Sequence, residues 1–537
     1  MADYDYVIVG AGSAGCVLAN RLSADGRHRV LLIEAGGSDR RFWVQVPIGY
    51  GKTYYQQAVN WRYTTQPVPG LNGHPSYWPR GKVLGGSSAI NAMVYIRGNA
   101  LDYDAWERAG NPGWAYKDVL PYFIRSETNA LGAGPYHGGS GPLHVADVSR
   151  DLHPICQDFI EAGRQAGLDR NPDFNGARQD GVGLYQLTVK DGLRMSTARA
   201  YLHPAMRRPN LQVRTHAHAT QVLCQAGRAI GVEYERGGRR LRAMANKEVI
   251  LCGGAINSPQ LLQLSGIGPC QVLQAAGIGI VCESPAVGMN LQDHIGVDYL
   301  FRSRKKTLND ELHPWWGKLA AGMQYIAFRR GPLSLSVNQA GGFFKTAPDL
   351  AQPNMQLYFS PVSYTRAAPG TRPLMNPDPF PAFLLGVSNC RPASRGYVRV
   401  RSADPFEAPE IQPNYLSSQA DMDELLQGVR LIRELARMPA LAAIIEHELR
   451  PGRQCRTDEA LAQDIRENAW SVFHPCSTCR MGPDPDTCVV DPRLRVHGMS
   501  NLRVADASIF PSLVSGNTNA AAIMVGEKAA DLILAGD

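Results

Sequence analysis

The stretch DYVIVGAGSAGCVLANRL, Asp5 to Leu22, decides the fold of this chain. Tyr6 to Val9 is a short β-branched run that predicts a strand, and it leads into Gly10-Ala11-Gly12-Ser13-Ala14-Gly15. A helical pattern follows from about Ala14 to Leu22. A second apolar strand, Val30 to Ile33, ends on Glu34, which lies 19 residues beyond the last glycine.

This order of strand, Gly-x-Gly-x-x-Gly, helix, strand and acid predicts a dinucleotide-binding unit. Gly10 permits the tight turn, Gly12 lets a pyrophosphate approach the backbone, and Gly15 lets the helix pack closely on the strand. The N–H groups at the start of the helix suit the phosphates. Glu34 would accept hydrogen bonds from ribose hydroxyls and repel a 2′-phosphate, which argues against NADP. The motif does not separate FAD from NAD.

Composition indicates an ordinary globular protein without a nucleic-acid partner. The 537 residues are 44% hydrophobic and 19% charged, with a net charge of +7 spread along the chain. Eleven cysteines, far apart and odd in number, favour reduced thiols and a cytoplasmic location. We see neither a signal peptide nor an apolar run long enough to span a membrane. Peripheral contact at the inner face of a membrane stays open.

Six further stretches lie in order along the chain: PRGKVLGGSSAINAMVYIRG (79–98), GAINSPQLLQLSGIG (254–268), GMNLQDH (288–294), HPCSTCRMG (474–482), LRVADASIFP (502–511) and GNTNAAAIMVGEKAADLI (516–533). Together with the N-terminal fingerprint they resemble the glucose–methanol–choline (GMC) oxidoreductase family, flavoproteins that oxidise alcohols with FAD. Within that family the sequence looks like a choline dehydrogenase or an FAD-dependent alcohol dehydrogenase.

The resemblance implies two domains, each built from separate segments. A Rossmann-like α/β domain that binds FAD would comprise residues 1–157, 194–305 and 471–537. An α+β substrate domain, with an antiparallel sheet backed by helices, would comprise residues 158–193 and 306–470. The amphipathic stretch Asp421 to Met438 fits a helix that covers this sheet.

The family's FAD-binding positions carry over to several parts of this chain. The predicted cofactor-binding residues are Gly10, Gly12, Ser13, Ala14, Gly15, Glu34, Val83, Gly86, Ser87, Asn91, Ala92, Met93, Val94, Tyr95, Ala219, Asp506, Thr518 and Asn519. Some choline-oxidising members attach the flavin covalently through a histidine just before the asparagine of the second motif. Here that position is Ile90, so noncovalent FAD is expected.

His474 lies in SVFHPCSTCRMGPD, a stretch that is compatible with a metal site, a thiol redox pair or a proton-transferring histidine. No second Cys-x-x-Cys or His-x-x-x-His stands at useful spacing, so we predict no metal, and Cys476 and Cys479 are expected to be buried small residues. His474 aligns with the family's catalytic histidine and would act as the general base. Asn517 aligns with the second catalytic position and would hydrogen-bond the alcohol, although it also suits a helix cap.

The substrate is the least determined feature. In choline-oxidising relatives a carboxylate precedes an Ala-Gly-Gly stretch, whereas this chain has Gln339 there, which disfavours a cationic substrate. Phe343 and Trp315 are candidates for an apolar pocket wall. We therefore expect a neutral primary aliphatic or aryl alcohol, with choline as the alternative. The electron acceptor would be a quinone or dye-like molecule, with O2 as the alternative.

Other reaction classes find little support. The chain has no Gly-x-Ser-x-Gly nucleophile elbow, and Val46 stands where a P-loop before Lys52 needs glycine. A nonredox lyase with a structural flavin, resembling hydroxynitrile lyases, remains an alternative from another class.

Overall fold

The computed structural model describes residues 3–364 and 376–536. Its strands are β1 (Tyr4–Val9), β2 (Val30–Ile33), β3 (Tyr63–Thr64), β4 (Tyr77–Trp78), β5 (Glu127–Asn129), β6 (Leu143–Val145), β7 (Gly181–Leu184), β8 (Val189–Lys190), β9 (Leu193–Arg194), β10 (Leu211–Arg214), β11 (His218–Gln225), β12 (Arg228–Arg236), β13 (Arg239–Leu251), β14 (Ile267–Gly268), β15 (Cys282–Glu283), β16 (Ile295–Ser303), β17 (Ala340–Phe344), β18 (Met355–Ser360), β19 (Ala382–Asn389), β20 (Tyr397–Arg399), β21 (Glu410–Gln412), β22 (Ile445–Arg450), β23 (Trp470–Ser471) and β24 (Leu502–Val504).

Its α-helices are α1 (Ser13–Leu22), α2 (Phe42–Gln45), α3 (Tyr50–Thr53), α4 (Ala100–Arg108), α5 (Tyr116–Ser126), α6 (Ile155–Gln165), α7 (His203–Ala205), α8 (Gly254–Leu264), α9 (Cys270–Ala275), α10 (Leu308–Leu312), α11 (Trp315–Phe328), α12 (Gln419–Arg437), α13 (Pro439–Ala442), α14 (Asp458–Asn468) and α15 (Asn519–Leu534).

The first sheet is the predicted Rossmann-like unit. Its strands lie in the order β10-β2-β1-β13-β12-β11, and β24 pairs with the C-terminal half of β13. β1 runs parallel to β2 and β13, and β2 runs parallel to β10, whereas β12 is antiparallel to both β11 and β13. Because β1 and β2 are buried on both faces, they consist of almost continuous apolar residues rather than alternating ones.

The second sheet is antiparallel and lies in the order β22-β16-β19-β18-β17-β7, with β23 paired to β16. Helix α12 covers one face of it. Leu425, Val429 and Ile432 of the helix are fully buried, and Gly428 lets the helix approach Met355 and Val387 of the sheet. These two sheets confirm the predicted fold class, and α12 lies where the amphipathic pattern placed it.

The division of the chain into two domains stays a prediction. One strand argues for a different boundary, because β16 lies within segment 194–305, assigned above to the FAD-binding domain, yet it pairs in the second sheet. The sequence motif that ends at His294 leads directly into this strand, so the motif by itself does not mark where the second sheet begins. Residues 365–375 of the predicted substrate domain lie outside the described residues.

The described residues contain no helix that is both long enough and apolar enough to cross a membrane.

A buried carboxylate ties the C-terminal helix to the N-terminal one. Glu527 of α15 is fully buried and accepts two hydrogen bonds from Arg21 of α1, at 2.9 and 2.8 Å. Arg125 of α5 and the hydroxyl of Tyr201 donate to the same carboxylate at 2.9 and 2.8 Å. Two guanidinium groups and a hydroxyl therefore satisfy a charge that would otherwise be costly to bury.

Replacing Glu527 with alanine should lower the stability by about 3 kcal/mol, because removal of one partner leaves the arginines unpaired. Both arginine side chains are partly exposed and can regain water, which keeps the cost near the lower end of the usual range. The measurement is the shift in the urea midpoint of unfolding of the purified protein. Asp531→Ala is the control, since its half-exposed carboxylate also pairs with Arg125 but should contribute less than about 1 kcal/mol. Equal shifts in the two variants would contradict this account.

Candidate functional site

A long cavity opens where the parallel strands of the first sheet end. Gly10 follows β1, Glu34 follows β2, Cys252 follows β13 and Asp506 lies two residues after β24, and all four line the cavity. Because the carboxyl ends of parallel strands meet at one edge of a sheet, residues that are hundreds of positions apart in sequence meet here.

The glycines of the first motif allow backbone segments to lie against one another. Gly10 has a φ of +102°, and a Cβ on it would lie 2.4 Å from the carbonyl oxygen of Cys252. A Cβ on Gly15 would lie 1.9 Å from the carbonyl oxygen of Gly10, so α1 packs directly on the turn. The first turn of α1 has no side-chain cap, which leaves its N–H groups available at the cavity.

The second glycine-rich motif covers the first. Gly86 has a φ of +52°, and a Cβ there would lie 2.7 Å from the Cα of Gly12. Gly12, Gly86 and Ser87 all line the cavity. The two motifs therefore form one backbone cradle, in which any side chain at position 86 would displace Gly12.

Glu34 closes one end of the cavity with a fixed carboxylate. Its two oxygens accept hydrogen bonds from the N–H groups of Ala11 at 2.9 Å and Gly36 at 2.8 Å. Burial raises the pKa of this carboxyl group to about 7, against the effect of the two N–H donors. The carboxylate is thus oriented before any ligand arrives.

Most predicted cofactor residues lie on this one cavity. Those that line it are Gly10, Gly12, Ser13, Ala14, Glu34, Gly86, Ser87, Asn91, Ala92, Met93, Val94, Ala219, Asp506, Thr518 and Asn519. Gly15, Val83 and Tyr95 do not line it but lie behind its wall. Gly15 allows α1 to pack on the turn at Gly10, and the main chain of Val83 forms a β-bridge with Gly37. Tyr95 is buried beside Arg97.

Asp506 has a different environment from the one expected. Its carboxylate accepts hydrogen bonds from the N–H of Gly254 at 2.8 Å, the hydroxyl of Ser258 at 2.6 Å and the N–H of Ser508 at 2.7 Å. It therefore holds the start of α8 against the segment after β24. Its position on the cavity wall leaves the predicted contact with the cofactor compatible with this structural role.

At the other end of the cavity, three side chains form a hydrogen-bonded chain around His474. Nδ1 of His474 lies 2.9 Å from Nδ1 of His294, and Nε2 of His474 lies 3.1 Å from Nδ2 of Asn517. Nε2 of His294 lies 2.8 Å from the carbonyl oxygen of Cys390. Both His474 and Asn517 line the cavity, so the two predicted catalytic residues meet although 43 positions separate them.

This chain determines where the protons lie. The carbonyl oxygen of Cys390 can only accept, so Nε2 of His294 carries hydrogen and, in the neutral ring, its Nδ1 accepts. Nδ1 of His474 must then donate, which leaves the lone pair of His474 on Nε2, the atom beside Asn517. The amide of Asn517 correspondingly presents its NH2 group to this atom.

Burial keeps both imidazoles neutral. It lowers the pKa of His474 well below 6.5, and the neighbouring His294 and Arg80 lower it further. Burial also lowers the pKa of His294 to about 4. The main-chain N–H of His474 donates to Asp293 at 2.6 Å, which fixes the backbone beneath the ring. A neutral, oriented imidazole, with the lone pair of Nε2 turned towards Asn517, is a suitable proton acceptor.

The two cysteines after His474 lie away from the cavity. Cys476 and Cys479 are completely buried, and burial raises the pKa of the Cys476 thiol to about 12 and that of Cys479 well above its ordinary value. These thiols are therefore poorly suited to form thiolates.

The predicted substrate-pocket residues are placed elsewhere. Gln339 is buried and accepts the main-chain N–H of His153 at 2.8 Å, while its neighbours Val337 and Asn338 line the cavity. Phe343 is buried against Phe174, and Trp315 begins α11 with 77% of its surface exposed. Neighbouring residues of an extended segment point to different faces, so a motif position alone did not determine which side chain reaches the cavity.

Several cavity residues were not predicted from the sequence. The wall also includes Tyr54, Tyr358, Trp470, Phe473 and the carboxylate-bearing Asp298. Asp298 and Tyr358 stand on either side of Gly386 in one row across the second sheet. His294 belongs to the quoted motif GMNLQDH, but its partnership with His474, 180 positions away, had no signal in spacing.

Comparisons with known proteins agree with this geometry. The N-terminal and C-terminal GMC oxidoreductase family models match residues 4–296 and 392–526. Mitochondrial choline dehydrogenase of Mus musculus is 44% identical over 99% of this chain and 89% of its own. The alcohol dehydrogenase [acceptor] of Pseudomonas putida is 43% identical over 99% of this chain and 96% of its own.

Among solved structures, a variant of Aspergillus oryzae formate oxidase, studied for its FAD modification, has a TM-score of 0.91. It is 27% identical and covers 99% of this chain and 98% of its own.

Replacing Gly86 with alanine should abolish most flavin binding while the fold is retained, because the new Cβ would push Gly12 out of the cradle. The measurement is flavin absorbance per mole of purified protein, with far-UV circular dichroism as the check on folding. Gly132→Ala is the matched control: it also has a positive φ, of +91°, but nothing lies within 4 Å of its added Cβ. A Gly86→Ala protein with full flavin content would show that the cradle does not hold the cofactor.

Proposed function

The chain belongs to the GMC oxidoreductase family, and we propose that within it this protein oxidises a primary alcohol to the aldehyde, with His474 as the general base. It acts on CH–OH donors, and its cofactor is FAD. The observation that carries the proposal is the lone pair of His474 on Nε2, at the cavity surface.

The residues of the cavity fit FAD from end to end. Glu34 offers acceptor oxygens for the hydroxyls of the adenosine ribose, and the uncapped start of α1 offers N–H groups for the pyrophosphate. Asn91 to Val94 and Thr518–Asn519 would lie along the flavin end, next to His474 and Asn517. Ile90 has no atom that could attach to a flavin, so we propose that FAD is held without a covalent bond.

When bound, FAD supplies the acceptor for the hydride that leaves the alcohol carbon. The protein supplies the path for the proton. Nε2 of His474 takes the hydroxyl proton as the C=O double bond forms, so that a proton and a hydride together leave the alcohol. Nδ1 of His474 keeps its hydrogen bond to His294, which holds the ring in place while it gains charge.

Asn517 would stabilise the oxygen of the substrate. Its Nδ2 already points to Nε2 of His474, at a position from which it can donate to a developing alkoxide. Its Oδ1 is buried, and no described residue donates to it.

Aromatic side chains near His474 favour an aliphatic or aryl primary alcohol. Tyr54 and Trp470 contact Phe473, the residue before His474, and all three line the cavity and offer apolar surface to such a substrate. The name of the P. putida relative, alcohol dehydrogenase [acceptor], supports an alcohol substrate and a separate electron acceptor. For this acceptor we propose a quinone or a dye-like molecule. Oxygen remains the alternative acceptor.

Choline is the second candidate, and one observation favours it. Gln339, the neutral side chain that disfavours choline in the sequence, does not line the cavity, whereas Asp298 does. A buried carboxylate near aromatic rings attracts a quaternary ammonium group. The 44% identical choline dehydrogenase supports the same alternative.

An anaerobic titration of the visible flavin band distinguishes the two substrates. Neutral primary alcohols should bleach the band of the wild-type protein, and choline should do so only weakly. Asp298→Asn should leave reduction by neutral alcohols unchanged and remove any reduction by choline. If choline alone bleached the band, and Asp298→Asn removed this bleaching, choline would be the substrate instead of a neutral alcohol. A flavin band that no alcohol bleaches would contradict both.

Replacing His474 with alanine should slow flavin reduction by roughly two to four orders of magnitude, the usual contribution of a general base, while the flavin content is retained. Stopped-flow absorbance measures the rate. His447→Ala, at a partly exposed histidine paired with Glu446, is the control and should reduce at the wild-type rate.

The pH dependence gives a second test of the same base. The pKa of His474 is held well below 6.5, so the ring gains a proton and stops acting as a base only when the pH falls below that lowered value. The wild-type reduction rate should therefore stay level from about pH 8 to about pH 6. A fall centred near pH 6.5 would mean that an unperturbed group, not this buried imidazole, controls the reaction.

A further inference from the structure

Helix α11 turns its largest apolar side chains away from the protein. Its buried positions are Gly317, Ala321 and Tyr325, which lie four residues apart along one side. Six large apolar side chains on this helix are between 54% and 77% exposed: Trp315, Trp316, Leu319, Met323, Ile326 and Phe328. A helix that faces water is normally patterned the other way. An apolar cluster of this size indicates a binding surface.

A second exposed aromatic pair lies across a hairpin from this helix. Phe42 and Trp43 of α2 are 57% and 39% exposed. Arg194 of the β8–β9 hairpin donates to the carbonyl oxygen of Val44 at 3.0 Å, and Tyr325 of α11 donates to the carbonyl oxygen of Gly192 at 2.8 Å. The hairpin therefore links α2 to α11, and we refer to Phe42, Trp43 and the six side chains of α11 together as the apolar face.

Basic residues border the apolar face. The exposed cations nearest to it in sequence are Lys318 within α11, Arg329 and Arg330 at its end, Lys190 in the hairpin, and Arg40 and Arg41 before α2. Exposed acids near it are Glu311 and Asp191, and α11 itself contains none. This charge is complementary to an anionic surface. Two copies of the chain, packed through the same face, would bring like charges together.

We propose that the apolar face docks on the anionic surface of a lipid bilayer, with α11 lying in the plane of the headgroups. Tryptophan suits the boundary between headgroups and acyl chains, and lysine and arginine can keep their charged ends at the phosphates. At 14 residues α11 is about 21 Å long, which suits a helix that lies on a membrane and not one that crosses it.

The docking surface is close in sequence and in space to the cavity wall. After α11 the chain packs residues 332–334 against residues 47–49. It then reaches Val337, whose N–H donates to the hydroxyl of Tyr50 at 3.3 Å, and both of these residues line the cavity. Docking would therefore bring the cavity near alcohols and electron acceptors dissolved in the bilayer. The docking itself does not depend on the proposed substrate.

Co-sedimentation of the flavin-loaded protein with vesicles tests this docking. Vesicles of phosphatidylcholine and phosphatidylglycerol in equal parts should bind the wild-type protein, and pure phosphatidylcholine should bind it more weakly. Trp316→Gln/Ile326→Gln should lower binding to the anionic vesicles at least roughly tenfold, since it removes two of the largest inserted side chains. Lys318→Gln/Arg330→Gln should lower binding to the anionic vesicles and weaken its dependence on salt.

The matched control is Leu241→Gln/Ile280→Gln, which changes two exposed apolar side chains on and near the first sheet. It should bind vesicles like the wild type. Flavin absorbance checks that every variant is folded, whether or not the substrate proposal holds. Failure of the wild type to bind anionic vesicles, or equal losses in the α11 and control variants, would overturn the proposal. The proposal would also be overturned if the wild type formed a dimer without binding vesicles and Trp316→Gln/Ile326→Gln removed that dimer. The apolar face would then pair two copies of the chain.

Discussion

The close approach of α1 to the ends of β1 and β13 is the constraint on which the rest of the structure depends. A single added Cβ at Gly15 would meet the carbonyl oxygen of Gly10, and one at Gly10 would meet that of Cys252. Helix α15 packs on α1, and Gly526 of α15 allows close contact with Ala14 of α1. Because α15 packs on α1, the segment just before α15 lies at the cavity, and this segment contains Asn517.

The reactive end of the cavity draws on both sheets. His294 lies just before β16 and Cys390 just after β19, two neighbouring strands of the second sheet, whereas Asn517 belongs to the segment packed on the first. His474 lies between them and hydrogen-bonds to both sides. The orientation of the proposed base therefore depends on how the two sheets meet, and a change in either one would be felt at its ring.

Burial has opposite consequences in two parts of the molecule. Around His474 it removes water from an imidazole pair and so keeps both rings neutral at neutral pH. On α11 the usual burial of large apolar side chains is largely reversed, and the helix buries only Gly317, Ala321 and Tyr325. Such a reversal costs free energy in water, which is why it indicates a surface that is covered in use.

The sequence by itself determined the β1–α1–β2 unit of the first sheet, the family and most of the residues that line the cavity. Gly-x-Gly-x-x-Gly between two apolar strands predicts a strand, a tight turn and a helix, because Gly15 must pack on the carbonyl oxygen of Gly10, only five residues away. The contact of Gly10 with Cys252 forms only when β13 joins the sheet. Positions carried over from the family, such as Gly86 and Thr518, also reached the cavity, since they lie in motifs whose backbone faces it.

Only the tertiary structure decided which side chains line the cavity beyond the motifs, and which ring nitrogen of His474 carries hydrogen. Gln339 points away from the cavity whereas Asp298, in a strand without a motif, points into it, because strand pairing and sheet packing select the face that each side chain occupies. The tautomer of His474 follows from His294 and Cys390, which are distant in sequence. Hydrogen bonds between such residues form only after the sheets pack, so no local pattern records them.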